Sequence, residues 1–278
     1  MIDTMYLKIT DSCNLRCPFC YVNKNNKIMA LDNAVNVIKR YNPQKIIFHG
    51  GEPLLFPELI INIMDALPDY EYSITSNLVF DLNDMQRKVL SRCDVATSYS
   101  VDRFNKDTFR IFKDNISWLK KIKDITLLVT LSYEQLKQEP DRLIENINEL
   151  DCRYVLFERL FIDGNDDNLS LLTDNYLLKL MQLYKVESNV LRNQMLHSLS
   201  HNCAVFNNDC QEKVVTINAD MSIQSCPNSQ HLKRIKKKEC LSCEFYQYCR
   251  GDCLSFQNTC MFPKNTFKYI KEEYKSWQ

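Results

Sequence analysis

Thirteen cysteines in a chain of 278 residues, unevenly spaced, constrain this sequence more than any other feature. Cys13, Cys17 and Cys20 form a C-x3-C-x2-C run near the N-terminus. Eight more, Cys203, Cys210, Cys226, Cys240, Cys243, Cys249, Cys253 and Cys260, crowd the last third, while Cys93 and Cys152 stand alone. A [4Fe–4S] cube takes four thiolates. The triplet therefore leaves one iron without a protein ligand, and the eight can close two further cubes, with two cysteines spare. Zinc is the alternative reading, because Cys-x2-Cys pairs also build structural ribbons.

The N-terminus, MIDTMYLKITDSCNLRC, has no basic stretch followed by an apolar one, so it does not read as a secretory signal. Without export, a reducing compartment favours metal-bound thiolates over disulfides, and the expected location is the cytoplasm. No apolar run is long enough to span a membrane. Lys+Arg and Asp+Glu balance at 35 each, so no global field favours nucleic acid or acidic lipid. Only four glycines occur, and two of them stand together in the run HGGEP. In so glycine-poor a chain, that pair marks a place where backbone must approach a ligand or turn sharply.

Short apolar runs rich in β-branched and aromatic residues predict strands at Met5–Thr10, Lys45–His49, Tyr72–Ser76, Val95–Val101, Ile125–Ser132 and Tyr154–Phe161. Helix-period stripes lie between them. Leu31, Ala34, Val35, Ile38 and Tyr41 share one face, as do Phe109, Phe112, Ile116 and Leu119. Pro57 opens a helix running to about Leu67, and a further helix is predicted over Thr173–Glu187. Strand and helix alternating six times argue for parallel pairing, in a partial barrel of six units rather than a closed eight-stranded one. Cys13 to Cys20 and Gly50 to Pro53 follow the first and second predicted strands, Ser76–Asn77 ends the third, and Ser100 with Asp102 ends the fourth, where active sites of such sheets collect. Beyond about residue 190 the cysteines become dense and VVTINADMSIQ reads as a small hairpin. The expected division is residues 1–190 and 191–278.

CNLRCPFCY followed by FHGGEP resembles the radical S-adenosylmethionine (radical SAM) superfamily. That resemblance implies an α/β fold, a partial (β/α)6 TIM-like barrel carrying a small C-terminal cysteine-rich domain. It implies that Cys13, Cys17 and Cys20 ligate a reactive [4Fe–4S] cluster. Gly50, Gly51 and Glu52 match the motif that holds the methionyl amine of S-adenosylmethionine. Tyr21 would lie near the adenine, and Ser100, in SVD, resembles a serine contacting the cofactor's polar end. The C-terminal set, with Cys240-x2-Cys243-x5-Cys249-x3-Cys253 at its centre, is similar to the SPASM extension of one branch. By that resemblance Cys203, Cys210, Cys226 and Cys253 would hold one auxiliary cluster, and Cys240, Cys243, Cys249 and Cys260 a second. Met221 stands where that extension has glycine.

SPASM members mostly modify peptides or proteins. The resemblance thus implies hydrogen abstraction from a peptide by a 5′-deoxyadenosyl radical, giving a thioether, a carbon–carbon crosslink, an epimerised centre or a backbone excision. Two alternatives stand beside it: formylglycine formation, disfavoured by Pro227 after Cys226 where that branch has aspartate, and a non-catalytic electron-transfer protein. The expected partners are a peptide or protein substrate and a low-potential donor of the flavodoxin or ferredoxin type. Because the first predicted strand lies so near the N-terminus, a separate leader-binding protein or a surface of the barrel would recognise the substrate. The basic run Lys233 to Lys238 is a candidate for such a surface, more simply a solvated loop.

Overall fold

The computed structural model describes residues 2–20, 22–159, 167–183, 213–224, 242, 244 and 264–273. In chain order these hold β1 (Thr4–Thr10), α1 (Leu31–Tyr41), β2 (Lys45–Gly50), α2 (Pro57–Ala66), β3 (Glu71–Ser76), α3 (Asp84–Arg92) and β4 (Asp94–Tyr99). They continue with α4 (Lys106–Leu119), β5 (Ile125–Leu131), α5 (Tyr133–Leu136), α6 (Pro140–Leu150), β6 (Tyr154–Arg159) and α7 (Asp167–Leu183). β7 (Val214–Ile217), β8 (Ile223–Gln224) and α8 (Lys264–Glu273) complete the set. The described residues within Met1–Tyr99, Arg103–Leu127 and Asn207–His231 form one compact unit, and those within Ser100–Asp102, Leu128–Phe206 and Leu232–Gln278 form another. The expected division near residue 190 lies outside the described residues.

In the first unit the strand order is β4-β3-β2-β1-β7-β8. β1 runs parallel to β2 and to β7, β2 to β3, and β3 to β4, whereas β7 and β8 pair antiparallel. The chain is therefore α/β with a sheet dominated by parallel pairing, as the alternation of strand and helix predicts. Met5, Leu7, Ile9, Ile46, Phe48 and Ile74 are at most 0% exposed and form one apolar face. The helices cover that face: Ala34, Val37 and Ile38 of α1, Ile60, Ile63 and Met64 of α2, and Val89 and Leu90 of α3 are buried. Val37 replaces Val35 in the predicted stripe of α1, because Val35 lies at the stripe's margin and is only half-buried.

Local chemistry explains the boundaries. Asn83 and Asn105 each close a capping box, with Gln86 and Thr108 respectively, at the starts of α3 and α4. Pro57 sits in the first turn of α2, where its missing N–H costs nothing. α1 and α6 end on left-handed Asn42 and Asp151. β4 ends two residues earlier than the sequence pattern predicts. Val101–Arg103 turn into a short 3-10 helix, so the apolar Val101 extends the strand pattern but not the strand.

The hairpin at 214–224 is present, and β7 lies in register along β1. Met221, at the position where glycine was expected, adopts φ +67°, and its N–H donates to the Asn218 carbonyl at 2.8 Å. The turn keeps the geometry glycine favours, with a side chain in place. In the second unit α7 packs against α5, α6 and α8. Asp174 of α7 caps α8: its carboxylate accepts from the Asn265 and Thr266 N–H groups, both at 2.9 Å, and from the Thr266 hydroxyl at 2.8 Å.

Candidate functional site

The C-terminal ends of β1, β2 and β3 bring the predicted site residues together. β1 ends at Thr10 and the cysteine loop begins directly after it. Both ends of that loop are tied. The Thr10 hydroxyl donates to the Lys27 carbonyl at 2.9 Å, and the Lys27 N–H donates to Asp11 Oδ1 at 2.7 Å. The Ser12 hydroxyl donates to Asn26 Oδ1 at 3.1 Å, and Thr10 bridges Ile28. Within the loop the Cys20 N–H donates to the Cys17 carbonyl at 3.1 Å, and the Lys24 ammonium donates to the Leu15 carbonyl.

Cys13 and Cys17 are partly buried and Cys20 is exposed; none is in a disulfide. Burial raises the Cys13 thiol above its ordinary value, opposed chiefly by the Leu15 N–H, which points at its sulfur from 3.4 Å. Among the described residues no three His, Cys, Asp or Glu side chains are already gathered as a metal site. The loop nonetheless fits an iron–sulfur cluster in donor chemistry: three thiols on one short segment, on a base held by hydrogen bonds at both ends.

Gly50 and Gly51 lie against that base. The Gly51 N–H donates to the Thr10 carbonyl at 2.8 Å and the Glu52 N–H to the Ser12 carbonyl at 2.7 Å. A Cβ on Gly50 would stand 2.1 Å from the Thr10 carbonyl oxygen, and one on Gly51 2.1 Å from that of Ser12. Gly50 also takes φ +137°, a conformation other residues avoid. The two glycines are thus required by the close approach of the β2 end to the root of the cysteine loop.

Glu52 follows them and is 1% exposed. Its Oε1 accepts from the Leu54 N–H at 3.0 Å and the Ser76 hydroxyl at 2.9 Å, and its Oε2 accepts from the Asn77 N–H at 2.7 Å. Burial pushes its carboxyl up to about 7, and the donors at Asn77, Leu54 and Ser76 act in the opposite direction.

Asn77 extends this network back to the cysteines. Its side-chain amide donates to Asn14 Oδ1 at 2.7 Å and lies 3.9 Å from the Cys13 sulfur. Asn14 in turn donates to the Val79 carbonyl at 2.9 Å, while Asn77 Oδ1 accepts from the Val79 N–H at 2.8 Å. Leu78 holds a left-handed φ of +53° between them. The sequence places Ser76–Asn77 at a strand end, but nothing in the spacing shows that Asn77 joins Glu52 to Asn14. Asn14 carries no signal at all, since it is simply the residue after the first cysteine.

Ser100 directly follows β4 and is 1% exposed; its hydroxyl has no hydrogen-bond partner among the described residues. It falls in the second unit. Tyr21 and the eight C-terminal cysteines, from Cys203 to Cys260, lie outside the described residues, as does the basic run at 233–238. His49, just before the glycines, packs edge-on against Tyr6 with ring centroids 5.8 Å apart. Burial, and the ammonium of Lys8 to a lesser degree, lower it to about 3, so its imidazole is neutral. Cys93 is buried, with its sulfur 3.8 Å from that of Met64. Cys152 is only half-buried, because the turn after α6 leaves it at the surface.

Comparison with known proteins bears on this geometry. The chain is 36% identical over 129 residues to an uncharacterized protein of Methanocaldococcus jannaschii, covering 41% of this chain and 45% of that one. It is 30% identical over 164 residues to the GTP 3′,8-cyclase of Clostridium acetobutylicum, covering 54% of this chain and 50% of the cyclase. The chain thus spans about half the length, or less, of these curated relatives. Streptococcus suis SuiB has a similar fold, with a TM-score of 0.59 at 15% identity over 91% of this chain and 73% of SuiB. SuiB bound to S-adenosylmethionine matches with a TM-score of 0.54 over 91% of this chain and 71% of SuiB. The Radical SAM superfamily profile matches residues 7–147, which hold the cysteine triplet, the glycine pair and Glu52; this chain belongs to the radical SAM superfamily.

Proposed function

We propose that this chain is a radical SAM enzyme in which Cys13, Cys17 and Cys20 hold a [4Fe–4S] cluster and Gly50, Gly51 and Glu52 hold the methionyl end of S-adenosylmethionine. Bound together, cluster and cofactor supply a 5′-deoxyadenosyl radical, which abstracts hydrogen from the substrate. What the protein contributes is positioning. The two glycines let the β2 backbone lie against the root of the cysteine loop, and Glu52 is fixed by three donors so that its carboxyl group stays in one place. Asn77 ties Glu52 to Asn14, next to the first cluster ligand. Ser100, buried and with no partner for its hydroxyl among the described residues, fits a contact to a polar group, and Tyr21 fits the aromatic slot beside the adenine.

The observation that carries this reading is the contact of Gly50 and Gly51 with Thr10 and Ser12, where no Cβ fits. The test is anaerobic reconstitution, reduction and assay of 5′-deoxyadenosine. We expect the product from the wild-type chain and none from Cys13→Ala; a reduced, iron-loaded wild type that yields none would overturn the proposal.

For the substrate, the match of the C-terminal cysteines to the SPASM pattern favours a peptide, within a partial barrel extended by two auxiliary clusters. A low-potential flavodoxin or ferredoxin would deliver electrons, and a separate protein could present the peptide's leader. The second reading is a small phosphorylated molecule, favoured by relatives named GTP 3′,8-cyclase. Co-expression with a neighbouring precursor peptide, followed by mass spectrometry, decides between them: an unaltered peptide would remove the first.

A further inference from the structure

The first unit's sheet has a second face, and it is polar. Side chains alternate along a strand, so residues paired in parallel register point the same way. Lys8 pairs with His49. One step along, Phe48 pairs with Ile74 and Thr75 with Ala96, so His49, Thr75 and Ala96 continue the row across β2, β3 and β4. Ser98 stands on the same face, one pleat nearer the strand end. Each of Lys8, His49, Thr75 and Ser98 is only partly buried, whereas the opposite positions are sealed under the helices. Right-handed crossovers put α1, α2 and α3 on that sealed side, away from the polar one.

Arg103 is drawn onto this face. Its Nη1 donates to the Ser98 carbonyl at 2.7 Å and to the Ser98 hydroxyl at 2.5 Å. The guanidinium also lies 5.8 Å from the ring of Phe104, which packs at a tilt against Phe112 with centroids 4.7 Å apart, so the segment is anchored in the core. Its Nε is buried and has no hydrogen-bond partner among the described residues. Glu52, whose oxygens accept from Leu54, Ser76 and Asn77, attracts this guanidinium electrostatically but makes no hydrogen bond to Nε. A second unused donor or acceptor lies across the same face: Thr216, paired with Tyr6, is 0% exposed and its hydroxyl has no partner among the described residues.

A guanidinium held through Nη1 and unused at Nε presents its side edge, and that edge matches the two oxygens of a carboxylate or phosphate. Lys8 adds a compact cation three strands away, about 14 Å at the usual spacing. Between them lie a neutral imidazole and a hydroxyl, which tolerate an oxyanion. We infer that the polar sheet face is an oxyanion subsite for the substrate, with Arg103 as its bidentate anchor and Lys8 at its far end. The inference names a substrate chemistry for the radical enzyme proposed above and rests on that reading. Carboxylates of an acidic peptide and phosphates of a nucleotide share this chemistry.

The test titrates tripolyphosphate, GTP and a short glutamate peptide into the cluster-loaded full chain with S-adenosylmethionine present. We expect one of the two classes to bind, Arg103→Gln to weaken it by about tenfold or more, and Lys8→Met to weaken it by about threefold. Arg103→Lys, which keeps the charge and loses the fork, should fall between wild type and Arg103→Gln and guards against a variant that simply misfolds. In Lys8→Met, affinity for S-adenosylmethionine and uncoupled 5′-deoxyadenosine formation should stay within about twofold, so the subsite can fail while the radical chemistry stands. Preference for phosphate or for carboxylate identifies the source. Equal affinity in wild type and Arg103→Gln, or no binding of any probe by wild type, would overturn the inference.

Discussion

At the scale of single residues, Glu52 and the glycines before it bear the clearest constraints. Burial lifts the Glu52 carboxyl to about 7 from an ordinary 4.5. The folded chain therefore keeps a proton that the unfolded chain has released by the time the pH reaches the upper end of that window. The stabilisation is complete below 4.5 and is lost as pH rises through about 7, amounting to about 3 kcal/mol. Glu52→Gln cannot titrate, so its thermal midpoint should lose this pH dependence. If wild type and Glu52→Gln melt in parallel between pH 4.5 and 8, the carboxyl is not held in the way described. Gly51→Ala tests the neighbouring contact. Its Cβ would meet backbone atoms of Ser12 at 2.1 and 2.6 Å, which no side-chain rotation relieves. A loss of about 3 kcal/mol or more is expected, read as a lowered melting midpoint together with weakened S-adenosylmethionine binding. An unchanged midpoint would mean that β2 can back away from the cysteine loop.

Among elements, what the sequence discloses follows from how local the signal is. The strands of the first unit and α2 are legible because β-branched runs, Pro57 and the spacing of apolar residues act within a few positions of where they are read. The hairpin is equally legible, but its place beside β1 is not: strand pairing depends on partners two hundred residues apart, and no pattern in VVTI names Tyr6 as neighbour to Thr216. The same holds for the site. Cys13, Cys17, Cys20 and HGGEP announce themselves, whereas the link from Glu52 through Asn77 to Asn14 exists only once three strand ends meet. Two elements carry testable strain or dependence. Met221 holds φ +67° in the hairpin turn, so Met221→Gly should stabilise the chain by about 1 kcal/mol. A lower melting midpoint would show that the methionine side chain contributes packing worth more than the strain. Asp174 supplies from α7 the cap that α8 lacks in its own sequence, so Asp174→Ala should cost about 1–2 kcal/mol and expose the Lys264–Glu273 segment to early proteolysis.

For the whole molecule, the cysteine arithmetic and the matched fold make separable demands. The family matched at residues 7–147 implies one cluster, which we assign to the N-terminal triplet. The eight C-terminal cysteines are not needed for it, and their spacing is compatible with zinc as well as iron. Metal content distinguishes the two. Three cubes predict roughly 12 iron atoms per reconstituted chain, and a single cube with a zinc ribbon predicts roughly four iron atoms with one or two zinc ions. Replacing Cys13, Cys17 and Cys20 together should then remove about four iron atoms and abolish 5′-deoxyadenosine formation, leaving about eight in place. Replacing Cys243 and Cys249 should do the converse at the other end, lowering iron while uncoupled cleavage of S-adenosylmethionine continues. If the triple variant instead loses all its iron, the C-terminal cysteines hold no cluster of their own. The chain would then be a one-cluster enzyme whose final third is stapled by another metal, and a closed auxiliary cluster could not carry electrons to or from the substrate.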